Sequence, residues 1–143
     1  MRYWDASALV PLLVAEEATE RARDWIAEDP LVVTWIWTRV ELTGAVERRA
    51  RQGTISVAER RALLERVDDL AGRWDEVVDI HAVRSRALAL LARHELRAAD
   101  AAQLGAALLT AENDPSGLAF VCLDERLATA ADREGLRVLT APQ

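Results

Sequence analysis

The chain has 143 residues, 51% of them hydrophobic and 29% charged, which suits one globular domain that buries about two-thirds of its unfolded surface. Its formal net charge of −6 argues against a protein that coats nucleic acid with a broad basic face, and every basic side chain is arginine. Charged residues interrupt each apolar run before it reaches the roughly 20 residues of a membrane-spanning helix, so we expect no membrane partner.

Short apolar runs rich in β-forming residues alternate with longer stretches of helical period. In the first half of the chain, the pattern predicts strands at residues 2–4 and 31–34, and helices at residues 6–14, 18–27 and from 37 to about 48. Pro11 is placed near the first turn of the first helix, and the third helix should end by Gly53. Ser56 and Glu59 form a capping-box pattern at the start of a fourth helix. That helix should carry four apolar residues inward: Leu63, Leu64, Val67 and Leu70.

In the second half, the pattern predicts strands at residues 76–80, 118–123 and 137–139, and helices at residues 83–93, 98–112 and 125–134. Residues 113–117 form a loop of turn-favouring residues. Continuous apolarity at 118–123 predicts a strand that is buried on both faces. The order β-α-α-β-α-α-β-α-α-β-α-β predicts a three-layer α/β domain with a central, mostly parallel sheet of four to five strands flanked by helices. We find no repeat or linker, so residues 1–143 are predicted to be a single domain.

Four acidic residues stand at apolar segments that would carry them inward: Asp5, Glu41, Asp100 and Asp124. Asp5 and Asp124 directly follow predicted strands, while Glu41 and Asp100 lie in the first turns of predicted helices. In a parallel α/β sheet, the carboxyl ends of the strands and the N-terminal ends of the crossover helices share one edge. The four carboxylates can therefore meet there. Because like charges repel strongly in an interior, their convergence implies a cation.

Each acid also has a purely structural explanation. Asp5 and Asp124 could be N-caps of the helices that follow, and Asp100 could interact favourably with a helix dipole. Capping does not explain Glu41, although a buried ion pair with Arg48 stays open. The predicted helical face of Glu41 is apolar and consists of Trp37, Val40, Gly44 and Ala45, and its small residues lead us to expect close packing there. Together the four acids favour a shared site.

The segments that contain these acids resemble the four acidic motifs of PIN-domain ribonucleases, and most closely the VapC toxins of bacterial type II toxin–antitoxin systems. The segments are residues 4–10 (WDASALV), 39–42 (RVEL), 96–104 (LRAADAAQL) and 121–127 (VCLDERL). No single motif is specific, but the ordered set spans the chain. The resemblance implies a PIN-like domain with endoribonuclease activity that depends on Mg²⁺ or Mn²⁺. It also implies a homodimer that a cognate VapB-like antitoxin inhibits.

By motif match, the resemblance makes Asp5, Glu41, Asp100 and Asp124 the catalytic acids. Mg²⁺ prefers hard oxygen ligands and keeps several waters, so four acids can serve one or two ions. A water activated by the metal would attack the RNA phosphodiester bond. We assign Asp5 and Asp100 as direct metal ligands, with Glu41 and Asp124 as ligands of a second ion or as groups that orient bound water.

Other side chains near the motifs would support the site. Ser7 matches the hydroxyl that the family has after the first acid. Cys122 stands where the family often has Thr or Ser, and a thiol is a poorer hydrogen-bond partner for a carboxylate or a water. Arg97 and Arg126 could contact RNA phosphates, although each could instead pair with a neighbouring acid.

Two other functions stay open. One is an interaction module that keeps the fold but has weakened catalysis, for which Cys122 is the only hint. The other is a metal-dependent phosphoryl-transfer enzyme, such as a phosphatase of the haloacid-dehalogenase type with Asp5 as nucleophile. Such enzymes place a second aspartate two residues later, where this chain has Ser7. Because Cys122 is the only cysteine and the N-terminus does not read as a signal peptide, we expect the protein in the cytoplasm.

The remaining chemically capable residues favour structural roles. His81 and His94 have no Cys or His partners at zinc-ligand spacing. Cys122 lies inside an apolar strand, which suits an inert buried thiol better than a nucleophile. Trp35 and Trp37, beside the second motif, could stack on bases or pack in a core or an interface.

Overall fold

A computed structural model describes residues 1–141 of the chain. Its strands form one sheet and are β1 (Arg2–Trp4), β2 (Val32–Trp35), β3 (Asp75–Val77), β4 (Ala119–Val121) and β5 (Arg137–Leu139). Neighbouring strands are parallel throughout, in the order β3-β2-β1-β4-β5. The predicted parallel sheet and the predicted order of elements are confirmed.

Seven α-helices cover the two faces of the sheet in the part of the chain that the structure describes. They are α1 (Ala6–Leu13), α2 (Thr19–Glu28), α3 (Thr38–Arg51), α4 (Val57–Ala71), α5 (Ile80–Arg93), α6 (Ala98–Ala111) and α7 (Glu125–Arg133). Helices α1 to α4 pack on one face, and α5 to α7 pack on the other. Within residues 1–141, no helix is both long enough and apolar enough to cross a membrane.

The central strand β1 anchors a hydrophobic core on each face. Successive side chains of a strand point to opposite faces, so Tyr3 and Trp4 enter different cores. Tyr3 stacks on Phe120, with ring centroids 5.5 Å apart, in the core beneath α5 to α7. Trp4 meets Trp25 edge-on at 6.4 Å in the core beneath α1 to α4. Both β1 side chains are fully buried, as a strand with helices on both sides requires.

The predicted capping box begins α4. Ser56 Oγ accepts a hydrogen bond from the Glu59 amide at 3.1 Å, and Glu59 Oε1 accepts one from the Ser56 amide at 3.0 Å. Of the four apolar residues expected to point inward, only Val67 is fully buried. The other three are partly buried against the same core: Leu63, Leu64 and Leu70.

Two local predictions were wrong. The third strand was expected at residues 76–80 but ends at Val77, and α5 begins at Ile80 instead of residue 83. Asp79 causes the difference, because its side chain accepts a hydrogen bond from the Ala82 amide at 3.0 Å and so caps the helix. Pro11 lies in the second turn of α1 and not near the first, and the helix ends shortly after it, at Leu13.

Candidate active site

The chain reverses its direction of travel across the sheet between β1 and β4. The connections through α1 to α4 lead from β1 to β2 and β3 on one side, whereas those through α5 to α7 lead to β4 and β5 on the other. Segments that leave β1 and β4 therefore diverge and open a crevice at the carboxyl edge, where open α/β sheets bind ligands. Asp5 follows β1 and Asp124 caps the helix after β4, so both lie at this crevice.

Asp5 is buried and tied to the end of β4. Its side chain is only 3% exposed. Asp5 Oδ2 accepts hydrogen bonds from the Ser7 amide at 3.0 Å and from the Ser7 hydroxyl, whose oxygen in turn accepts one from the Leu123 amide at 3.0 Å. Cys122 Sγ lies 3.8 Å from Asp5 Oδ2 and donates to the Asp124 carbonyl at 3.4 Å. Ser7 and Cys122 thus contact the first acid.

Glu41 is half-buried in the first turns of α3, and it faces a partner that the sequence did not suggest. Gln103 Nε2 donates a hydrogen bond to Glu41 Oε1 at 2.8 Å. The expectation that its helical face packs into the core was wrong, because Trp37 is 58% exposed and Val40 is 48% exposed. The buried stripe of α3 instead consists of Thr38, Leu42 and Val46.

Asp100 and Asp124 lie nearer to solvent and take part in local helix-end interactions. Asp100 is in the first turn of α6, and its side chain is 23% exposed. Asp124 is the N-cap of α7, and its Oδ1 accepts a hydrogen bond from the Leu127 amide at 2.9 Å. The capping explanation therefore holds for Asp124, and it also holds for Asp5, which is the N-cap of α1 and accepts from the Ser7 amide. Any further role of the Asp124 carboxylate would come from its position at the crevice.

The two arginines proposed as phosphate contacts differ in their partners. Arg97 is 84% exposed at the side chain, and its Nε lies 3.8 Å from Asp100 Oδ2. Arg126 is 73% exposed at the side chain and pairs at 3.7 Å with Glu95, which is also exposed. Arg97 is thus paired with one of the four acids, whereas Arg126 has its acidic partner outside that set.

The carboxylates act on one another electrostatically. Burial raises the pKa of Asp5 to about 6, with the charge of Asp100 adding to the rise and the Ser7 hydrogen bonds opposing it. Burial likewise raises the pKa of Glu41 to about 7, and the Asp5 and Asp100 charges add to the rise while the Gln103 hydrogen bond opposes it. The pKa of Asp100 is raised by burial and by the charge of Asp124. The fold therefore brings all four acids into one coupled group, as expected of a functional site.

A chain of buried polar side chains connects Glu41 to the strands. Gln103 is fully buried, and it donates to Thr38 Oγ1 at 2.9 Å and accepts from the Tyr3 hydroxyl at 2.7 Å. Thr38 Oγ1 lies 2.7 Å from Thr34 Oγ1, which donates to the Trp4 carbonyl at 2.7 Å. We did not assign roles to these residues from sequence. The available signal was a lone amide, Gln103, in the Ala- and Leu-rich stretch that follows Asp100.

The donor set suits a hard divalent cation, because carboxylate oxygens are the preferred ligands of Mg²⁺. A bound cation would also offset the cost of burial, and the smaller repulsion between the acids, that raise these pKa values. Among residues 1–141, however, no group of three or more acidic, His or Cys side chains is already arranged to hold a metal ion. One or two carboxylates with waters, a common arrangement for Mg²⁺, is the mode of binding that these residues fit.

Two solved structures share this fold. One is a toxin–antitoxin complex from Klebsiella pneumoniae, which matches 98% of this chain and 97% of the other at a TM-score of 0.67 and 14% identity. The other is a crystal structure of FitAcB from Neisseria gonorrhoeae, which matches 96% of each chain at a TM-score of 0.69 and 20% identity. No protein-family model and no curated protein matches the chain. The predicted three-layer PIN-like fold is confirmed over nearly its full length.

Proposed function

We propose that this protein is a divalent-cation-dependent endoribonuclease of the toxin–antitoxin type, similar to VapC toxins, and that it hydrolyses RNA phosphodiester bonds. One observation carries the proposal: carboxylates from four separate segments form one electrostatically coupled group at the crevice where the sheet changes direction. The fold supports it, because one of the similar structures is a toxin–antitoxin complex.

Asp5 and Asp100 would hold Mg²⁺ or Mn²⁺, and Glu41 and Asp124 would hold a second ion or orient its waters. When bound, such a cation lowers the pKa of a water molecule and offsets the negative charge that develops on the phosphodiester. The protein's contribution is to hold the acids in place. Ser7 fixes Oδ2 of Asp5 through its amide and its hydroxyl. The helix that begins at Asp124 fixes that side chain through its first turn.

The proposed partners are an RNA substrate, a VapB-like antitoxin and a second copy of this chain. Helix α5 and the residue before its cap expose an apolar strip that suits an interface between copies. The strip consists of Val78, Ile80, Leu88 and Leu91, which are 62%, 56%, 64% and 40% exposed. A solution mass of 15.8 kDa by light scattering, and not twice that value, would exclude the homodimer.

The function is tested by RNA cleavage with acid-to-amide variants. We expect the purified chain to cleave structured RNA with Mg²⁺, and we expect EDTA to stop the cleavage. Asp5→Asn and Asp100→Asn should abolish activity while the fold is kept, because the amide preserves shape but removes the charge that holds a cation. Asp79→Asn is the matched control, since Asp79 caps α5 just after β3 and is exposed. Cleavage at the wild-type rate by both site variants would exclude the proposal.

A second candidate is an interaction module that keeps this fold without catalysis. It is favoured by the finding that no three potential ligands among residues 1–141 are arranged around an ion position. Calorimetric titration with Mn²⁺ separates the two candidates. Saturable binding that Asp5→Asn removes favours the nuclease, whereas no binding at millimolar Mn²⁺ favours the module.

A further inference from the structure

The buried amide of Gln103 joins elements from both faces of the sheet. It lies in α6, one turn after Asp100, and it is fully buried. Its nitrogen donates to Glu41 Oε1 at 2.8 Å and to Thr38 Oγ1 at 2.9 Å, both in α3. Its oxygen accepts from Tyr3 in β1 at 2.7 Å. Both amide hydrogens and one of the two lone pairs of the oxygen are therefore used.

The hydrogens in this network can be placed in only one way. Thr34 gives its single hydroxyl hydrogen to the Trp4 carbonyl at 2.7 Å, so the 2.7 Å contact between Thr34 and Thr38 must use the hydrogen of Thr38. Thr38 can then only accept from Gln103. The nitrogen of Gln103 must therefore face Thr38 and Glu41, and the oxygen of Glu41 that it meets must be an acceptor.

We propose that Gln103 is a positioning residue that orients the Glu41 carboxylate for cation binding. The inference rests on the proposed function, because it assigns a supporting role within the same site. The hydrogen bond from Gln103 restrains Oε1 and so limits the rotation of the Glu41 carboxylate. The same helix, α6, then places Asp100 directly and Glu41 through one hydrogen bond, so the two acids keep a constant relation across the crevice. Hydrogen bonds of this kind orient metal ligands in many proteins.

A merely structural amide would behave differently from a positioning one. Loss of a buried hydrogen-bonding group lowers the free energy of unfolding wherever it occurs. Loss of a positioning contact also lowers cation affinity in protein that is still folded. Thr19 provides a matched control, because its hydroxyl is buried, donates to the Pro11 carbonyl at 3.0 Å and accepts from the Glu16 amide at 2.8 Å. It has no hydrogen bond to any of the four acids.

The first experiment measures Mn²⁺ affinity by calorimetry for the wild-type chain, Gln103→Met and Thr19→Val. Methionine keeps the length of the side chain and removes the amide. We expect Gln103→Met to bind Mn²⁺ about 10- to 100-fold more weakly and Thr19→Val to bind as the wild type does. Equal affinity of Gln103→Met and wild type would overturn the inference and leave the proposed function standing. A wild-type chain that binds no Mn²⁺ would overturn the proposed function, and the inference with it.

The second experiment uses the unaltered chain and so does not depend on a variant that folds. Side-chain amide resonances of Gln103 are followed by NMR during a Mg²⁺ titration. We expect both amide hydrogens to exchange slowly with water and their resonances to shift saturably, because the carboxylate to which one of them donates changes its charge environment. Resonances that stay unmoved at a Mg²⁺ concentration that saturates the calorimetric binding would contradict the positioning role.

Discussion

The four carboxylates fall into two pairs that the fold holds in different ways. Asp5 and Glu41, the inner pair, are the more deeply buried, and each accepts a hydrogen bond from another side chain: the Ser7 hydroxyl donates to Asp5 and the Gln103 amide donates to Glu41. Asp100 and Asp124, the outer pair, lie nearer to solvent and interact with groups at the start of their own helices, as Asp5 also does through the Ser7 amide.

The difference in burial between the pairs shows which acids are accounted for by the stability of the fold and which are not. An N-cap stabilises its helix by about 1 kcal/mol, which favours Asp124 without any function and offsets only part of the cost of burying Asp5. Burial, which raises the pKa values of the inner pair, makes their ionisation less favourable in the folded protein than in the unfolded chain. A protein keeps such groups where they serve a site, so the inner pair is the stronger evidence for one.

The largest expected effect is a pH-dependent stability gain in Asp5→Asn. The pKa of Asp5 rises from 3.8 to about 6 on folding, so the folded state favours the protonated form. The stabilisation that protonated Asp5 gives to the folded state is fully present below pH 3.8 and is lost as the pH rises through 6. The loss amounts to about 3 kcal/mol of the free energy of unfolding. In urea unfolding without a divalent cation, the free energy of unfolding of Asp5→Asn should therefore exceed that of the wild type, and the difference should grow as the pH rises from 3.8 through 6.

A difference between two chains is needed because other carboxylates act in the opposite sense. The hydrogen bond from Arg60 lowers the pKa of Glu47, for example, and that contribution appears as pH rises. Saturating Mg²⁺ at pH 7.5 should raise the free energy of unfolding of the wild type and remove most of its difference from Asp5→Asn. The stability of Asp5→Asn itself should change little. If the difference in free energy of unfolding between Asp5→Asn and the wild type does not vary between pH 4 and 7, then ionisation of the buried Asp5 does not destabilise the fold as predicted.

An intermediate effect is expected at Asp124, where two substitutions separate capping from chemistry. Asn caps a helix about as well as Asp, whereas Ala loses the cap and about 1 kcal/mol of stability. If the carboxylate also serves the site, both Asp124→Asn and Asp124→Ala should lose RNA cleavage, and only the latter should be less stable. Asp79→Asn and Asp79→Ala supply the same comparison at the cap of α5. Full activity in Asp124→Asn would show that Asp124 serves only as a helix cap.

Sequence reasoning predicted the parts of this comparison that depend on local pattern. Alternating apolar runs and helical periods predicted the parallel sheet, and strand ends placed Asp5 and Asp124 at its carboxyl edge. Glu41 shows the limit. Two stripes of α3 were available for burial, and the one with Trp37 and Val40 looked more apolar than the one with Thr38, yet Thr38 is buried and bonded to Gln103. That choice is made by a contact between helices far apart in sequence, which no local pattern contains.

The smallest effect on stability and activity is expected in Arg97→Gln, which alters the exposed side chain beside Asp100. An exposed ion pair contributes at most about 1 kcal/mol, so Arg97→Gln should barely change the free energy of unfolding. If Arg97 contacts a phosphate of single-stranded RNA, its loss should weaken RNA binding and make the plot of log affinity against log salt shallower by about 0.7.

Arg126→Gln is the comparison for Arg97→Gln, because Arg126 pairs with Glu95 and not with any of the four acids. We expect it to have the smaller influence on RNA affinity, measured by fluorescence anisotropy in a common Asp5→Asn background, which we expect to be inactive and which keeps the Arg97–Asp100 pair. Equal salt slopes for both variants and the parent would show that neither arginine contacts an RNA phosphate. Recognition would then depend on the acids, their cation and the exposed ring of Trp37, which lies one helical turn before Glu41.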